Sequence, residues 1–301
     1  MTKDFNDSAP DTTNRRAFLT GGGLALASAV AAGAATANTS DTELSGQANP
    51  NGRFSGKVVA ITGGNSGIGK ATAEAFAMEG AKVFITARRD ALGKEVESAI
   101  RAKGGDVTWM VTDVREAAQV ERFINAVVEQ GGKLDVLFNN AGIFMTPALV
   151  EDISVENFQD MMATNVEGVF YGMKYALPQM KKQGGGSIVN MASVAAHRGF
   201  GFTGHYSASK HAVRGLTKAA AKVSAKDNIR VNSISPLAVD TPMLEESFSY
   251  QGVTYEQMAP NFVTPRIMDA HEMAVGVMFL ASDEASAING MDLDATGGQL
   301  A

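Results

Sequence analysis

The sequence contains no cysteine, and this absence restricts the chemistry open to the protein. Disulfides, thiolate nucleophiles and thiolate metal sites are excluded, so any redox reaction needs a bound cofactor. Runs of lysine or arginine are also absent, and the net charge is −6, which argues against nucleic acid or an anionic membrane surface as a partner. A hydrophobic fraction of 45% with a charged fraction of 19% is typical of a soluble globular protein.

The amino-terminal segment differs in composition from the rest of the chain. Arg15 and Arg16 are followed by Phe18, by a Gly/Ala-rich apolar run and by an Ala-Thr-Ala sequence that ends at Ala37. This pattern resembles a twin-arginine export signal with an A-x-A cleavage site. A buried helix or an uncleaved membrane anchor is the alternative, but the glycines at 21–23 weaken a helix and the run is marginal in length for spanning a membrane.

The sequence therefore predicts a signal peptide at residues 1–37, a polar linker at residues 38–52 and one folded domain at residues 53–301. We expect a periplasmic or otherwise exported protein, with a cytoplasmic location as the alternative. No stable membrane insertion is expected after cleavage.

From residue 57 onward, short β-branched runs alternate with longer amphipathic stretches. This alternation is typical of βαβ units and a parallel sheet. We predict a single-domain α/β protein with a Rossmann fold, in which a doubly wound seven-stranded parallel sheet carries helices on both faces. The predicted strands cover residues 57–62, 82–86, 107–111, 134–140, 187–192, 229–235 and 291–294.

A glycine-rich segment, TGGNSGIGK, directly follows the first predicted strand. Gly63, Gly67 and Gly69 allow the backbone to approach a pyrophosphate, whose charge is stabilised by the amino terminus of a helix that starts near Ile68. A tight strand-to-helix turn without a ligand is the alternative. The position after the first strand of a βαβ unit favours dinucleotide binding.

The end of the second predicted strand bears on the choice between NAD and NADP. A carboxylate at this position favours NAD, but the sequence has Ala87 followed by Arg88 and Arg89. Arginine accommodates a 2′-phosphate, so NADP is the preferred cofactor and NAD the second choice. The alternative is that both arginines are merely solvated residues at the start of a helix.

Two further polar turns end predicted strands at the same edge of the sheet. The third strand leads into Asp113 and Val114, and the Asp113 carboxylate is a candidate acceptor for the adenine amino group. The fourth ends in Asn140, Ala141 and Gly142, at the edge where ligands bind in open α/β sheets. Either segment is otherwise a simple turn.

The segment SIVNMASVAAHRGFGFTGHYSASKHAV contains the candidate chemical groups. Tyr206 and Lys210 have the i, i+4 spacing that places two residues on one helix face, although a surface pair has the same spacing. We expect the Lys210 ammonium, with an oxidised nicotinamide nearby, to lower the pKa of Tyr206, which then acts as general acid or base. Ser193, at the end of a strand, is expected to donate a hydrogen bond to the substrate oxygen.

Together these motifs resemble the short-chain dehydrogenase/reductase family over residues 57–298. The resemblance implies that Asn165, in the segment ATNVEGVF, is a fourth catalytic residue that holds a water bridging to Lys210. Two positions depart from the family pattern, Leu237 where glycine is usual and Thr296 where aspartate is frequent. The catalytic set is Asn165, Ser193, Tyr206 and Lys210, and the cofactor-binding set is Gly63, Asn65, Ser66, Gly67, Ile68, Gly69, Arg88, Arg89, Asp113, Val114, Asn140, Ala141, Gly142, Tyr206, Lys210, Pro236, Val239 and Thr241.

The expected function is the interconversion of a ketone or aldehyde and an alcohol by an NAD(P)(H)-dependent oxidoreductase, through hydride transfer with Tyr206 as general acid or base. The alternatives are a non-catalytic NAD(P)-sensing or binding protein on the same fold, or a 3-oxoacyl thioester reductase if the chain is not exported.

The expected partner is a small-molecule carbonyl or alcohol substrate. Residues 237–268, where the family has its substrate lid, are rich in aromatic and methionine side chains and favour an apolar substrate, unless these side chains pack beneath the lid or at a subunit contact. No metal is assigned, because His197 and His205 have no further ligands at suitable spacing. The resemblance also implies a homotetramer or homodimer.

Overall fold

The computed structural model describes residues 46–301, and these contain one parallel β-sheet. Its strands are β1 (Val58–Thr62), β2 (Lys82–Ala87), β3 (Asp106–Val111), β4 (Val136–Asn139), β5 (Gly186–Met191), β6 (Ile229–Pro236) and β7 (Asp292–Ala295). They pair in the order β3-β2-β1-β4-β5-β6-β7, which confirms the predicted seven-stranded Rossmann-type sheet. The predicted signal peptide and residues 38–45 of the predicted linker lie outside the described residues.

Helices cover both faces of this sheet. They are α1 (Gly67–Met78), α2 (Asp90–Ala102), α3 (Ala117–Gly131), α4 (Val155–Met162), α5 (Gly168–Gln183), α6 (Gly204–Ser224), α7 (Pro242–Gln251), α8 (Tyr255–Met258) and α9 (Ala270–Ala281). One apolar core joins the sheet to α1, α2 and α9, and a second joins it to α3, α5 and α6. Among residues 46–301, no helix combines the length and apolar character needed to cross a membrane.

Side chains of the central strand β1 alternate between the two cores. Val59 and Ile61 pack with α1 and α9, whereas Val58 and Ala60 pack with α3, α5 and α6. Because successive strand residues point to opposite faces and both faces are covered, each position must be apolar. This requirement explains the continuous apolar run that identifies the strand in the sequence.

The strand order reverses between β1 and β4. β1 pairs with β2 on one side and with β4 on the other, and Thr62 lies in register with Asn139. The chain winds from β1 to β3 in one direction and from β4 to β7 in the other. Such a reversal opens a crevice at the carboxyl ends of the two strands, where ligands bind in this class of sheet.

Residues ahead of β1 also contact the domain. The backbone N–H of Ala48 donates to the Lys103 carbonyl, and that of Asn49 donates to the Met78 carbonyl, both at 2.8 Å. Phe54 is buried, and its ring packs edge-on against Phe76 with 4.7 Å between centroids. The chain is therefore attached to the domain from Ala48 onward.

Candidate active site

The turn between β1 and α1 has the close backbone geometry that the glycine motif predicts. Gly63 has a φ of +68° and Gly67 a φ of +49°, in the left-handed region that favours glycine. A Cβ on Gly69 would overlap the carbonyl oxygen of Gly63. The turn is thus a cradle of bare backbone at the amino terminus of α1, where N–H groups without intrahelical partners stabilise an anion. It fits the pyrophosphate of a dinucleotide.

Asn140 and Ala141 hold this cradle from the neighbouring strand. The Asn140 Nδ2 donates to the carbonyl oxygens of Thr62 at 3.0 Å and Gly63 at 3.1 Å. The Thr62 Oγ1 accepts hydrogen bonds from the backbone N–H groups of Asn140 and Ala141, both at 3.1 Å. These four bonds make the position of the glycine turn depend on the end of β4.

Arg88 and Arg89 are exposed between β2 and α2, beside the glycine turn. The Arg89 Nη2 donates to the Ser66 Oγ at 3.0 Å, and the Arg89 carbonyl accepts from the Asn65 Nδ2 at 3.2 Å. The structure therefore brings the predicted arginines and the predicted loop residues together.

The carboxylate nearest to these arginines along the chain is already paired. Asp90 accepts hydrogen bonds from the Lys94 Nζ at 2.7 Å and the Trp109 Nε1 at 2.8 Å. The hydrogen bond from Lys94 is the main reason why the pKa of Asp90 is lowered. The end of β2 therefore has alanine at position 87 followed by two exposed arginines, and the carboxylate that comes next is paired.

Asp113 follows β3 as predicted, but its carboxylate has a protein partner. Arg115 donates to it from Nη2 at 2.7 Å and from the backbone N–H at 3.0 Å. Burial alone would raise the pKa of Asp113, but the hydrogen bonds from Arg115 outweigh burial and lower it. The carboxylate is fixed and ionised, beside the buried Val114. Sequence reasoning missed Arg115, although it lies only two residues away.

Asn165 lies in a π-helical turn, Ala163–Glu167, that joins α4 to α5. It is 1% exposed. Its Oδ1 accepts from the Ile143 N–H at 2.8 Å, and its Nδ2 donates to the Ile143 carbonyl at 3.0 Å and to the Ser209 Oγ at 3.2 Å. The side chain thus connects the loop after β4 to α6. Single π turns of this kind are frequent at functional sites.

Gly142 lies within the same group of residues. A Cβ built on Gly142 would be 3.3 Å from the Asn165 Oδ1 and 3.8 Å from the Lys210 Nζ. The absence of a side chain here keeps the loop after β4 close to both catalytic candidates.

Ser193 follows β5 and begins the short 3-10 helix Val194–Ala196. Its Oγ accepts a hydrogen bond from the Ala195 N–H at 3.2 Å. Because a hydroxyl also has one proton to donate, this contact leaves the proton free for a group in the site. The Tyr206 phenol is also hydrogen-bonded to Ser193.

Tyr206 and Lys210 lie near the start of α6, one turn apart. The Lys210 Nζ is 5.6 Å from the centroid of the Tyr206 ring and donates to the Met191 carbonyl at 2.9 Å. Lys210 is 4% exposed. Burial penalises the charged form of an amine, and it lowers the pKa of Lys210 to about 8.

The protein's own groups do not lower the pKa of Tyr206, and the lowering expected with an oxidised nicotinamide nearby stays a prediction. Burial raises the pKa of Tyr206, and the hydrogen bond with Ser193 offsets this only in part. The physical reason is that burial disfavours the phenolate as well as the Lys210 ammonium, while the Lys210 Nζ directs a hydrogen bond to Met191. Tyr206 is therefore a neutral phenol at neutral pH.

The loop after β6 reaches the glycine turn. Pro236 ends β6, and the buried Val239 follows. Thr241 caps α7, with its Oγ1 accepting from the Leu244 N–H at 3.3 Å and donating to the Val239 carbonyl at 3.0 Å. A Cβ on Gly67 would lie 2.9 Å from the Thr241 Cγ2, so the Thr241 methyl group borders the cradle.

The two departures from the family pattern cause no backbone strain. In the part of the chain that the structure describes, Asn228 is the one non-glycine residue with a positive φ, so Leu237 does not occupy a conformation that needs glycine. Thr296 is buried, and its Oγ1 donates to the Asp294 carboxylate at 2.5 Å.

Helices α7 and α8 form the segment predicted as a lid. Phe248 is buried and packs edge-on against Tyr255, with 5.3 Å between ring centroids. The Tyr255 hydroxyl donates to the Asp240 Oδ1 at 2.9 Å. Phe248 and Tyr255 therefore pack on each other within this segment.

Phe144 supplies an apolar surface beside Tyr206. Its ring lies 5.2 Å from that of Tyr206, at an angle of 69°. Sequence reasoning missed it, because the irregular loop after β4 has no periodic pattern. Among residues 46–301, no group of three or more His, Asp or Glu side chains is arranged to hold a metal ion.

Comparisons with known proteins identify relatives over most of the chain. Residues 63–299 match the family model described as "Enoyl-(Acyl carrier protein) reductase". Levodione reductase of Leifsonia aquatica is 38% identical over 259 residues, which cover 84% of this chain and 97% of that protein. A 2,5-dichloro-2,5-cyclohexadiene-1,4-diol dehydrogenase of Sphingobium indicum is 39% identical over 246 residues, covering 82% and 97%.

Solved structures have the same fold. The crystal structure of levodione reductase matches with a TM-score of 0.80 and 37% identity, over 82% of this chain and 98% of that chain. ElxO with NADP bound matches with a TM-score of 0.77 and 34% identity, over 81% and 98%. NAD+-bound xylitol dehydrogenase matches with a TM-score of 0.78 and 34% identity, over 82% and 100%. Proteins similar to this chain thus bind either nucleotide.

Proposed function

Because the chain belongs to the short-chain dehydrogenase/reductase family, we propose that Asn165, Ser193, Tyr206 and Lys210 form the active site of an NAD(P)-dependent oxidoreductase. The reaction is the interconversion of a ketone or aldehyde and an alcohol. The relatives are named as reductases and dehydrogenases, which supports this function over a non-catalytic nucleotide sensor. The observation that carries the site assignment is the partly buried Tyr206, with Ser193 on its hydroxyl and Lys210 beside its ring.

Tyr206 exchanges a proton with the substrate oxygen. Its pKa is raised by burial, so at neutral pH the phenol donates to a carbonyl oxygen as that atom gains negative charge. The Ser193 hydroxyl, next to the phenol, donates a second hydrogen bond to the same oxygen. In the direction of alcohol oxidation, the phenolate accepts the proton of the alcohol.

Lys210 resupplies the proton that Tyr206 loses. Its pKa of about 8 allows the Nζ to release and regain a proton near neutral pH, as an efficient acid–base group requires. Asn165 connects the turn between α4 and α5 to α6 through Ser209. It connects the same turn to the loop after β4 through Ile143.

A nucleotide held at this site would provide the hydride for carbonyl reduction, or would accept it in alcohol oxidation. The cradle of Gly63, Gly67 and Gly69 would hold its pyrophosphate, and Asp113 would accept a hydrogen bond from its adenine. We propose that NADP is preferred, because Arg88 and Arg89 present cations at the end of β2 and the adjacent Asp90 is paired.

The proposed substrates are compact, largely apolar ketones and secondary alcohols with a six-membered ring. Phe144 supports this class, because its ring forms an apolar wall beside Tyr206. The name of the Sphingobium indicum relative, which acts on a cyclohexadiene diol, points in the same direction.

An assay of nicotinamide absorbance tests this proposal. The purified protein is given NADPH or NADH with cyclic ketones, acyclic ketones and sugars, and in the reverse direction with the oxidised nucleotides and the matching alcohols. We expect NADPH-dependent reduction of cyclic ketones that is lost in Tyr206→Phe, a variant that removes one hydroxyl. Nucleotide binding without turnover of any compound, or an unchanged rate in Tyr206→Phe, would contradict the proposed function.

We also propose that the protein is exported by the twin-arginine route with cleavage after Ala37, and that it forms a homotetramer or homodimer. The paired arginines before an apolar run support export. Cell fractionation, amino-terminal sequencing of the mature protein and an Arg15→Lys, Arg16→Lys double variant test the export. Light scattering of the purified protein tests the oligomeric state.

A further inference from the structure

A carboxylate outside the four catalytic residues lies buried at the start of the last strand. The side chain of Asp292 is 3% exposed. Its oxygens accept hydrogen bonds from the Ser233 Oγ at 2.8 Å and the Ser235 Oγ at 2.9 Å, both on β6. A buried charge is costly unless it is paired and hydrogen-bonded, so the surroundings of Asp292 must supply a cation.

Two basic side chains approach the same carboxylate. The His197 Nε2 lies 2.6 Å from the Asp292 Oδ2, and the Arg214 Nε lies 3.6 Å from the same oxygen. His197 comes from the loop after β5, and Arg214 comes from α6. Asp292 therefore joins one catalytic loop and the catalytic helix to the outer strand of the sheet.

Both basic residues are attached to the short helix that Ser193 begins. The His197 N–H donates to the Val194 carbonyl at 3.1 Å. The Arg214 Nη1 donates to the Ala196 carbonyl at 3.4 Å. The Ala196 N–H donates in turn to the Ser193 carbonyl at 2.8 Å. The turn that begins at Ser193 is thus held at its far end by the two partners of Asp292.

We propose that Asp292 is a positioning residue for Ser193, acting through His197 and Arg214. The carboxylate fixes the end of the Val194–Ala196 turn, and that turn fixes the Ser193 Oγ through the Ala195 N–H. A hydroxyl donor must be placed accurately to stabilise charge on the substrate oxygen. The inference rests on the proposed role of Ser193 in the reaction.

A double-variant cycle tests this route. Asp292→Asn keeps the size of the side chain and removes its charge, and Ser193→Ala removes the hydroxyl that Asp292 is inferred to position. In otherwise unaltered protein, we expect Asp292→Asn to lower kcat/KM about 10-fold, as a small misplacement of a catalytic group does. In the Ser193→Ala background, the same substitution should leave kcat/KM unchanged, because the group that it positions is gone.

The cycle separates positioning from general damage to the fold. An equal loss of kcat/KM in both backgrounds, or no loss in either, would overturn the proposal, since a structural defect lowers activity whether or not Ser193 is present. If Ser193→Ala itself retains full activity, the proposed active site fails instead. Glu284→Gln, which removes the exposed ion pair with Arg53 at 3.1 Å, is the control for loss of a charge pair and should leave kcat/KM unaltered.

His197→Gln keeps the test decisive if Asp292→Asn does not fold. His197 is 20% exposed in its side chain, so its replacement buries no new charge. We expect the same pattern, with a loss of kcat/KM in the presence of Ser193 and none in its absence. A loss in both backgrounds would overturn the proposal here too.

Discussion

The Lys210 Nζ lies beside the ring of Tyr206, 5.6 Å from its centroid, and donates its hydrogen bond to the Met191 carbonyl at 2.9 Å. The lysine is thus held by the end of β5, the strand that also leads into Ser193. Burial acts on both members of this pair, because it raises the pKa of Tyr206 and lowers that of Lys210. Below the Lys210 pKa both groups are protonated, and a phenolate left at Tyr206 is the stronger base of the two, so it takes a proton from the lysine ammonium.

Replacement of Lys210 by methionine should lower kcat by about 10²- to 10⁴-fold, the range for loss of an acid–base group. The variant should fold, because Lys210 is 4% exposed and methionine suits an apolar site. Lys218→Met, on the exposed face of the same helix, is the control and should retain full activity. Steady-state kinetics and thermal unfolding check both variants. A fully active Lys210→Met would remove Lys210 from the mechanism.

The pH profile of kcat/KM should show a break set by Lys210. Its pKa of about 8 means that the ammonium is lost above that pH, so carbonyl reduction should be level below it and fall above it. Alcohol oxidation should rise with pH instead, because it needs the phenolate. In Lys210→Arg the side chain stays protonated throughout, and the break near pH 8 should disappear. A break that persists in this variant must belong to another group.

His205 should make the fold sensitive to acid. It is 1% exposed, its two ring nitrogens have no hydrogen-bond partner within residues 46–301, and burial lowers its pKa below 6.5. The unfolded state binds the proton more readily than the folded state. The free energy of unfolding should therefore decrease as the pH falls from about 6.5 to the folded-state pKa of His205.

His205→Leu tests this origin of acid sensitivity. The free energy of unfolding, measured by urea titration at several pH values, should fall less steeply below pH 6.5 in this variant than in the unaltered protein. His211→Leu, which changes an exposed histidine of the same helix, should keep the original slope. Parallel curves for His205→Leu and the unaltered protein would show that other groups cause the loss.

Arg88 should contribute to the choice of nucleotide. Arg88→Ala should raise the KM for NADPH by about 10-fold or more, the value of a hydrogen bond to a charged group, and leave the KM for NADH unchanged. Arg122→Ala removes an exposed cation from α3 and should alter neither KM. An equal effect of Arg88→Ala on both nucleotides would assign Arg88 to the shared part of the cofactor.

Local sequence patterns were sufficient for the strands and the glycine turn. β1 was predictable because both of its faces are buried, and the turn because Gly63 and Gly67 adopt positive φ values. The spacing of Tyr206 and Lys210 likewise reflects one turn of a single helix.

Features that depend on distant partners were not predictable. His197 and Asp292 are 95 residues apart in the chain, and no local pattern indicates that they meet. The raised pKa of Tyr206 was missed for a related reason, because its main cause is burial by the assembled fold and not its spacing from Lys210.

The π-helical turn at Ala163–Glu167 determines which way the side chains of α5 point relative to those of α4. Successive α-helical residues lie about 100° apart around the axis, so the extra residue of a π turn rotates all later side chains relative to the earlier ones. Before the turn, the Met161 sulfur lies 2.9 Å from the Asn165 Nδ2, whereas Val169 and Met173 after it pack in the core beneath the sheet. The length of this segment therefore matters as well as its residues. Deletion of one residue would rotate either the Met161 side chain away from Asn165 or the Val169 and Met173 side chains away from the core.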